Sequence, residues 1–308
     1  MSCASNKCQT AKIHDIQLGG RAGELPTVLI GSIFYRHHNI VRDVKSGEFD
    51  EVQAKVILDK EKEVSDSTGN PRLLDVIAET PEAMIRYLAF IIENSDAPFL
   101  IDSSLAKVRE AGLRFAADEG VLDRAVYNAI EPESSQQELD LLGEIGVKHA
   151  VILACGAKYI KPKDRLRLLI GEEDKPGLIQ QVKEQGVENI LTDPGVLDLP
   201  SSGWTAKAIE DIKQQTGLPC GCAPANALYT WLRKKRFQTP ELQACGAAVL
   251  AFPLFAGADF LFYGPIENAS WVYPSVGVMD AMISYQAKLN GIKPAVPNHP
   301  LRQLFINN

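Results

Sequence analysis

The residues that could do chemistry in this chain stand where its apolar runs end. Asp102 closes "APFLIDSS" (97–104), Asn128 sits in "RAVYNAI" (124–130), and Asp193 follows "NILT" (189–192). Asn226 ends "LPCGCAPAN" (218–226), and Gly264, Glu267 and Asn268 end "DFLFYGPIEN" (259–268). No histidine, lysine or cysteine stands among them in an obvious nucleophile position. Carboxylates and amides of this kind suit a flat, polar heterocycle, because a carboxylate can pair with a ring N–H and an exocyclic NH2 in bidentate fashion. Chemistry with modest acid–base demand, using a cofactor as reagent, fits the set better than hydrolysis. Each residue also has a plain structural reading. Asp102 could cap a helix starting at 103, and Asn226 one spanning 227–235. Asn128 and Asp193 could be turn formers. Convergence at one place decides between the readings.

The elements that must position these residues are legible as eight apolar runs: 27–35, 72–79, 98–104, 124–130, 149–155, 189–195, 218–226 and 259–268. Several are apolar on both faces, as in buried parallel strands. Amphipathic stretches lie between them. "TPEAMIRYLAFIIENS" (80–95) opens on Thr80, Pro81 and Glu82, a good cap and first turn. Further helices are expected over 103–120, capped by Ser103 or Ser104, and over 134–146, 177–186 and 204–217. Eight strands alternating with helices over about 250 residues predict an α/β fold, a (β/α)8 TIM barrel, whose site lies at the C-terminal ends of the strands. An open doubly wound sheet is the alternative, weakened by the lack of G-x-G-x-x-G after the first strand. Residues 1–26 read as an N-terminal extension with a hairpin turning at Gly19–Gly20, and residues 27–308 as one barrel domain.

The bulk properties exclude several classes. Net charge is −7 and pI about 5.4. This argues against nucleic acid, and the basic run "LRKKRF" (232–237) reads as a solvated helix end. No apolar run reaches the roughly 18 residues of a membrane span. The first residues lack the apolar core of a secretory signal, so a cytoplasmic location is expected. Among six cysteines, Cys220 and Cys222 form C-x-C with no second pair at zinc spacing, and no metal site is expected. The "YRHHN" segment (35–39) reads as a solvated loop.

Longer motifs carry a resemblance. "GELPTVLIGSIFYRHHNI" (23–40), "SDSTGNPRLL" (65–74), "TPEAMIRYLAF" (80–90), "APFLIDSS", "VYNAI" (126–130) and "FYGPIENA" (262–269) closely resemble the H subunit of tetrahydromethanopterin S-methyltransferase. The likeness runs from about Ile16 to about Gln286. That family includes soluble bacterial relatives that pass methyl groups between a corrinoid protein and tetrahydrofolate, as in glycine betaine demethylation. The resemblance implies a pterin-binding barrel in which Asp102, Asn128 and Asp193 hold the pterin ring, with Gly264, Glu267 and Asn268 nearby. It implies that Asn226 meets N5, the nitrogen that carries the methyl group. Here the chain reads "GCAPAN" where the archaeal members read approximately "GxGIHN".

The expected reaction is methyl transfer between methylcobalamin and N5 of tetrahydrofolate, toward methyltetrahydrofolate. A D-x-H-x-x-G signal is missing, so the cobalamin is expected on a partner corrinoid protein. A homodimer is implied by the relatives. The alternatives are a tetrahydromethanopterin-specific subunit, a non-catalytic subunit docking a corrinoid protein, and a dihydropteroate synthase-like condensation. The last would need a cation at the barrel mouth, for which Arg36 is the candidate.

Overall fold

The computed structural model describes residues 8–232 and 239–306. Its centre is an eight-stranded parallel sheet. We label its strands β1 (Val28–Ile33), β2 (Arg72–Ile77), β3 (Phe99–Asp102), β4 (Ala125–Ile130), β5 (His149–Leu153), β6 (Asn189–Asp193), β7 (Gly221–Cys222) and β8 (Phe260–Pro265). All eight apolar runs contain a strand. The order 6-5-4-3-2-1-8-7 curls into a barrel closed at one seam by a single bridge, Thr192 to Cys220. Thr192 N–H donates across that seam to the Pro219 carbonyl at 2.9 Å.

The strands are apolar on both faces because both faces are covered. Val28, Ile30, Leu73, Leu100, Val126, Val151, Leu191 and Phe260 fill the barrel interior. The alternate residues, such as Leu29, Leu74, Ile101, Tyr127 and Ile190, pack outward against the helices. A hairpin, Thr10–Ile13 with Ile16–Gly19, closes the N-terminal end with Ala11, Ile13 and Leu18. Its turn is not Gly19–Gly20, as the sequence suggested. Ile13 pairs with Ile16, so the chain reverses at His14–Asp15, with His14 at φ 53°. Gly19 instead ends the second strand, where a β-carbon would sit 2.6 Å from the Gln9 carbonyl oxygen and 2.8 Å from Pro219 Cγ.

The outer layer contains α1 (Glu51–Thr68), α2 (Pro81–Asn94), α3 (Ala106–Asp118), α4 (Gln136–Ile145), α5 (Pro162–Ile170), α6 (Leu178–Glu184), α7 (Ser202–Thr216), α8 (Pro224–Leu232), α9 (Thr239–Phe255), α10 (Ala269–Ala287) and α11 (Pro300–Phe305). Thr80 caps α2 through the Ala83 amide at 3.1 Å, with Pro81 in its first turn. Two expected caps fail. Helix α3 starts after Leu105 with no side-chain cap, while Ser103 Oγ donates to the Ala78 carbonyl at 2.8 Å. Asp102 is thus not used as a cap. Asn226 lies inside the first turn of α8, not before it. Most of the "LRKKRF" run, Arg233–Phe237, lies outside the described residues. No helix among the described residues is long and apolar enough to cross a membrane.

Candidate active site at the barrel mouth

The strand ends converge. A cavity of about 310 Å³ opens at the C-terminal mouth, lined by Ser32, Asp75, Asp102, Asn128, Asp193, Asn226 and Gly264. Its walls are apolar: Ile77, Val151, Leu153, Val196, Ala223 and Phe262. A small apolar slot with a few converging polar groups is the ordinary form of a ligand site. A larger groove of about 530 Å³ lies at the hairpin end, lined by Lys12, Asp15, Lys62, Asp66, Arg72 and Asp96. Its charges pair among themselves or with neighbours, Lys62 with Asp66 and Arg72 with Glu61. The catalytic end of such a barrel is the other one.

Adjacent strands set the acid pair. Asp102 ends β3 beside Ile77 and Asn128, and Asp75 lies in β2 opposite Ser32 of β1. Ser32 Oγ donates to Asp75 Oδ2 at 2.8 Å. Burial pushes both carboxyls above the ordinary range, and Asp102 is raised further by the charge of Asp75. Ser32, Asp102 and Asn128 all stabilise ionised Asp75. The two neighbouring buried carboxyls thus resist being ionised together.

Asp193 has a different setting. It is buried at the end of β6 and its Oδ1 accepts the Gly195 N–H at 2.6 Å. Burial pushes its carboxyl up to about 7, against the pull of that amide and of Arg165. The turn-forming and site readings are therefore both true of Asp193. Asn226 is exposed at the cavity mouth. Gly264, at φ 79°, lets β8 pass Tyr229, whose Cε2 would lie 3.0 Å from a β-carbon there.

Glu267 and Asn268 lie outside the cavity lining. The chain after β8 folds into a single 3-10 turn, Ile266–Asn268, which carries both away from the slot. Glu267 Oε1 is 2.7 Å from His38 Nε2, and His38 Nδ1 accepts the Phe34 N–H at 3.1 Å. That second bond assigns the proton to Nε2, which donates to Glu267. Asn268 Nδ2 donates to Tyr229 Oη at 2.6 Å, and its Oδ1 accepts from Trp271 Nε1 at 3.0 Å. The loop after β1 is therefore not simply solvated: His38 is buried, with Tyr35 stacked on it at 4.5 Å. Arg36 is exposed and lies 3.6 Å from Glu79, outside the cavity lining.

Sequence reasoning missed Asp75 and Ser32. The signal was present, because Asp75 is the one charge between the apolar residues of "LLDVIA" (73–78). A carboxylate inside a buried strand needs a partner or a function.

A parallel eight-stranded barrel of this kind has the fold of dihydropteroate synthase. The Yersinia pestis enzyme with a bound pterine–sulfa conjugate superposes at TM-score 0.62 and 12% identity, over 90% of this chain and 99% of that one. The Xanthomonas albilineans enzyme gives 0.61 and 13%, over 89% and 97%. At these identities the likeness establishes the fold.

Residues 6–295 match the family described as tetrahydromethanopterin S-methyltransferase MtrH subunit, and the chain belongs to it. The H subunit of tetrahydromethanopterin S-methyltransferase from Methanosarcina acetivorans is 36% identical over 97% of this chain and 98% of its own length. Its counterpart from Methanothermobacter thermautotrophicus is 35% identical, over 95% and 96%. The H subunit of a putative methyltransferase, mtx, from Methanosarcina barkeri is 33% identical, over 96% and 97%. The barrel, the family and the methyltransferase class expected from the sequence are borne out.

Proposed function

We propose that this chain binds a reduced pterin in the barrel-mouth cavity and transfers a methyl group at its N5 nitrogen. The observation that supports it most is the convergence of Asp75, Asp102, Asn128 and Asp193 on one slot of about 310 Å³. Carboxylates and an amide so placed match the ring N–H, exocyclic NH2 and carbonyl of a pterin edge. The names of the relatives favour tetrahydromethanopterin as the pterin over the tetrahydrofolate expected from the sequence.

In the reverse direction N5 is a tertiary amine, which leaves poorly unless it is protonated or strongly hydrogen-bonded. Asn226 reaches N5 from the rim and can serve either protonation state by turning its amide, one end donating and the other accepting. The second methyl carrier would be a corrinoid borne on a partner protein: toward the pterin, N5 would take the methyl group in line as the cobalt–carbon bond breaks and leaves cobalt(I), and in reverse cobalt(I) would take it from N5. The chain's main contribution is to hold the two carriers in register. We place methyl transfer in the direction of the pterin and the chain in a homodimer. Apolar Phe252, Phe255, Met282 and Tyr285 stand exposed on α9 and α10 and support a paired state.

Calorimetric titration with tetrahydromethanopterin and tetrahydrofolate side by side tests the reading. Binding is expected, tighter for tetrahydromethanopterin, and Asp102→Ala should weaken it by about a hundredfold, as loss of a buried charge-assisted contact does. Wild-type affinity in that variant would remove Asp102 from the site. Tighter binding of tetrahydrofolate would restore the soluble corrinoid–tetrahydrofolate reading.

A further inference from the structure

Arg165 is the largest side chain buried in this protein with essentially no exposure. It rises from α5 under the corner of the cavity formed by β5 and β6. Its Nη1 donates to the Gly195 carbonyl at 3.0 Å and to Thr205 Oγ1 at 3.1 Å. Thr205 Oγ1 donates to the same carbonyl at 2.7 Å. Among the described residues, Nε and Nη2 find no hydrogen-bond acceptor. A buried cation left this way costs several kcal/mol and calls for an explanation.

Its surroundings supply one. The groups whose negative forms favour its charge are Cys155 beyond β5, Asp193 at the end of β6 and Cys222 of β7. The thiols of Cys155 and Cys222 are pushed up by burial, which leaves Asp193 as the one group of the three that ionises near neutral pH. Arg165 in turn favours the ionised form of Asp193, and Gly195 N–H is the other group that does so. Gly195 is thus held at both ends of its peptide unit, by Asp193 at its nitrogen and by Arg165 at its carbonyl. It must be glycine: at φ 75°, a β-carbon would lie 2.5 Å from Cys155 Cβ.

We propose that Arg165 is a positioning residue for Asp193. It pins the Asp193–Pro194–Gly195 turn from below through the Gly195 carbonyl, and its charge offsets part of the burial that raises the Asp193 carboxyl. The cavity then carries on one wall a carboxyl that titrates near neutrality, and on the other the raised carboxyls of Asp75 and Asp102. This rests on the pterin reading only for the ligand that uses the arrangement.

The test reads the carboxyl directly. The full chain, labelled with 13C at aspartate Cγ and free of ligand, is titrated by NMR, with Asp193→Asn assigning the resonance. In Arg165→Met the Asp193 midpoint should move up by about one pH unit, the lower end of what a nearby opposite charge supplies. Arg165→Lys should restore most of it. An unchanged midpoint in Arg165→Met overturns the proposal. Should that variant fail to fold, Arg165→Gln, which keeps donors without charge, is read in the same way. Tetrahydromethanopterin titrations across the same pH range should show a falloff displaced by the same amount. A wild type that binds no pterin would refute the proposed function, and the carboxyl midpoint would still decide the role of Arg165.

Discussion

Asp193→Asn should make this protein more stable above neutral pH while weakening its site. The Asp193 carboxyl is buried and raised from 3.8 to about 7. Each pH unit of such a displacement corresponds to ~1.4 kcal/mol, so holding the anion in the folded chain at pH 8 costs about 4 kcal/mol. Asparagine has the same shape, and its Oδ1 can keep the Gly195 N–H bond. Its NH2 group faces buried surroundings and gives back about 1–3 kcal/mol where it finds no acceptor. The net expectation is a gain of about 1–3 kcal/mol at pH 8.

The sign follows from proton counts. In the unfolded chain the carboxyl titrates near ~3.9. Between that pH and about 7 the folded chain keeps a proton that the unfolded chain has released. This group's contribution therefore falls as pH rises through the window and is level above it. The variant lacks that slope. Urea unfolding of both chains, followed by circular dichroism in steps from about pH 4.5 to about pH 8.5, gives the difference directly and cancels the slopes of the other acids. A difference that does not change with pH, or a variant less stable at pH 8, would refute the reasoning.

Three further outcomes follow from other contacts. Asn226→Ala should lower turnover by about a hundredfold and leave pterin affinity within a few-fold, since its bond counts most as N5 changes charge; single-turnover rates beside calorimetry check it. Asp259→Ala should cost about 3–5 kcal/mol in urea unfolding, because buried Lys213 would keep only the Gly257 carbonyl at 2.9 Å and the Cys220 amide would lose its acceptor. Gly31→Ala should cost at least about 1–3 kcal/mol, because the new methyl group meets the buried Tyr263 ring, Cζ at 2.7 Å; the thermal midpoint reads it.

The strands were legible because a covered parallel strand announces itself as an unbroken apolar run. The site residues Asp102, Asn128, Asp193 and Asn226 were legible because the topology puts every such run's end at the same mouth. Asp75 escaped that rule: it sits within its run, and only the cross-strand neighbours Ser32 and Asp102 give it meaning. Glu267 and Asn268 were placed in the site because they follow β8 closely, but one 3-10 turn redirects them to His38 and Tyr229. The helices α9 and α10 were not read at all. Both are apolar on most sides, so no amphipathic period marks them. The hairpin turn was misplaced because Gly19–Gly20 is the stronger turn signal, yet both glycines serve close approach and backbone freedom instead.

The lone bridge between Thr192 and Cys220 makes this barrel a split ring more than a hoop. The split falls between two residues that the proposed reaction needs in step. Asp193 follows Thr192 on one lip, at the end of a continuous arc running from β6 back to β1. Asn226 hangs from the other lip, beyond a strand of two residues. Spreading the lips would change the gap between the Asp193 carboxyl and the Asn226 amide, which both line the cavity, while the arc beyond them stays still. Low-cost opening of this kind is where local motion in a folded chain concentrates.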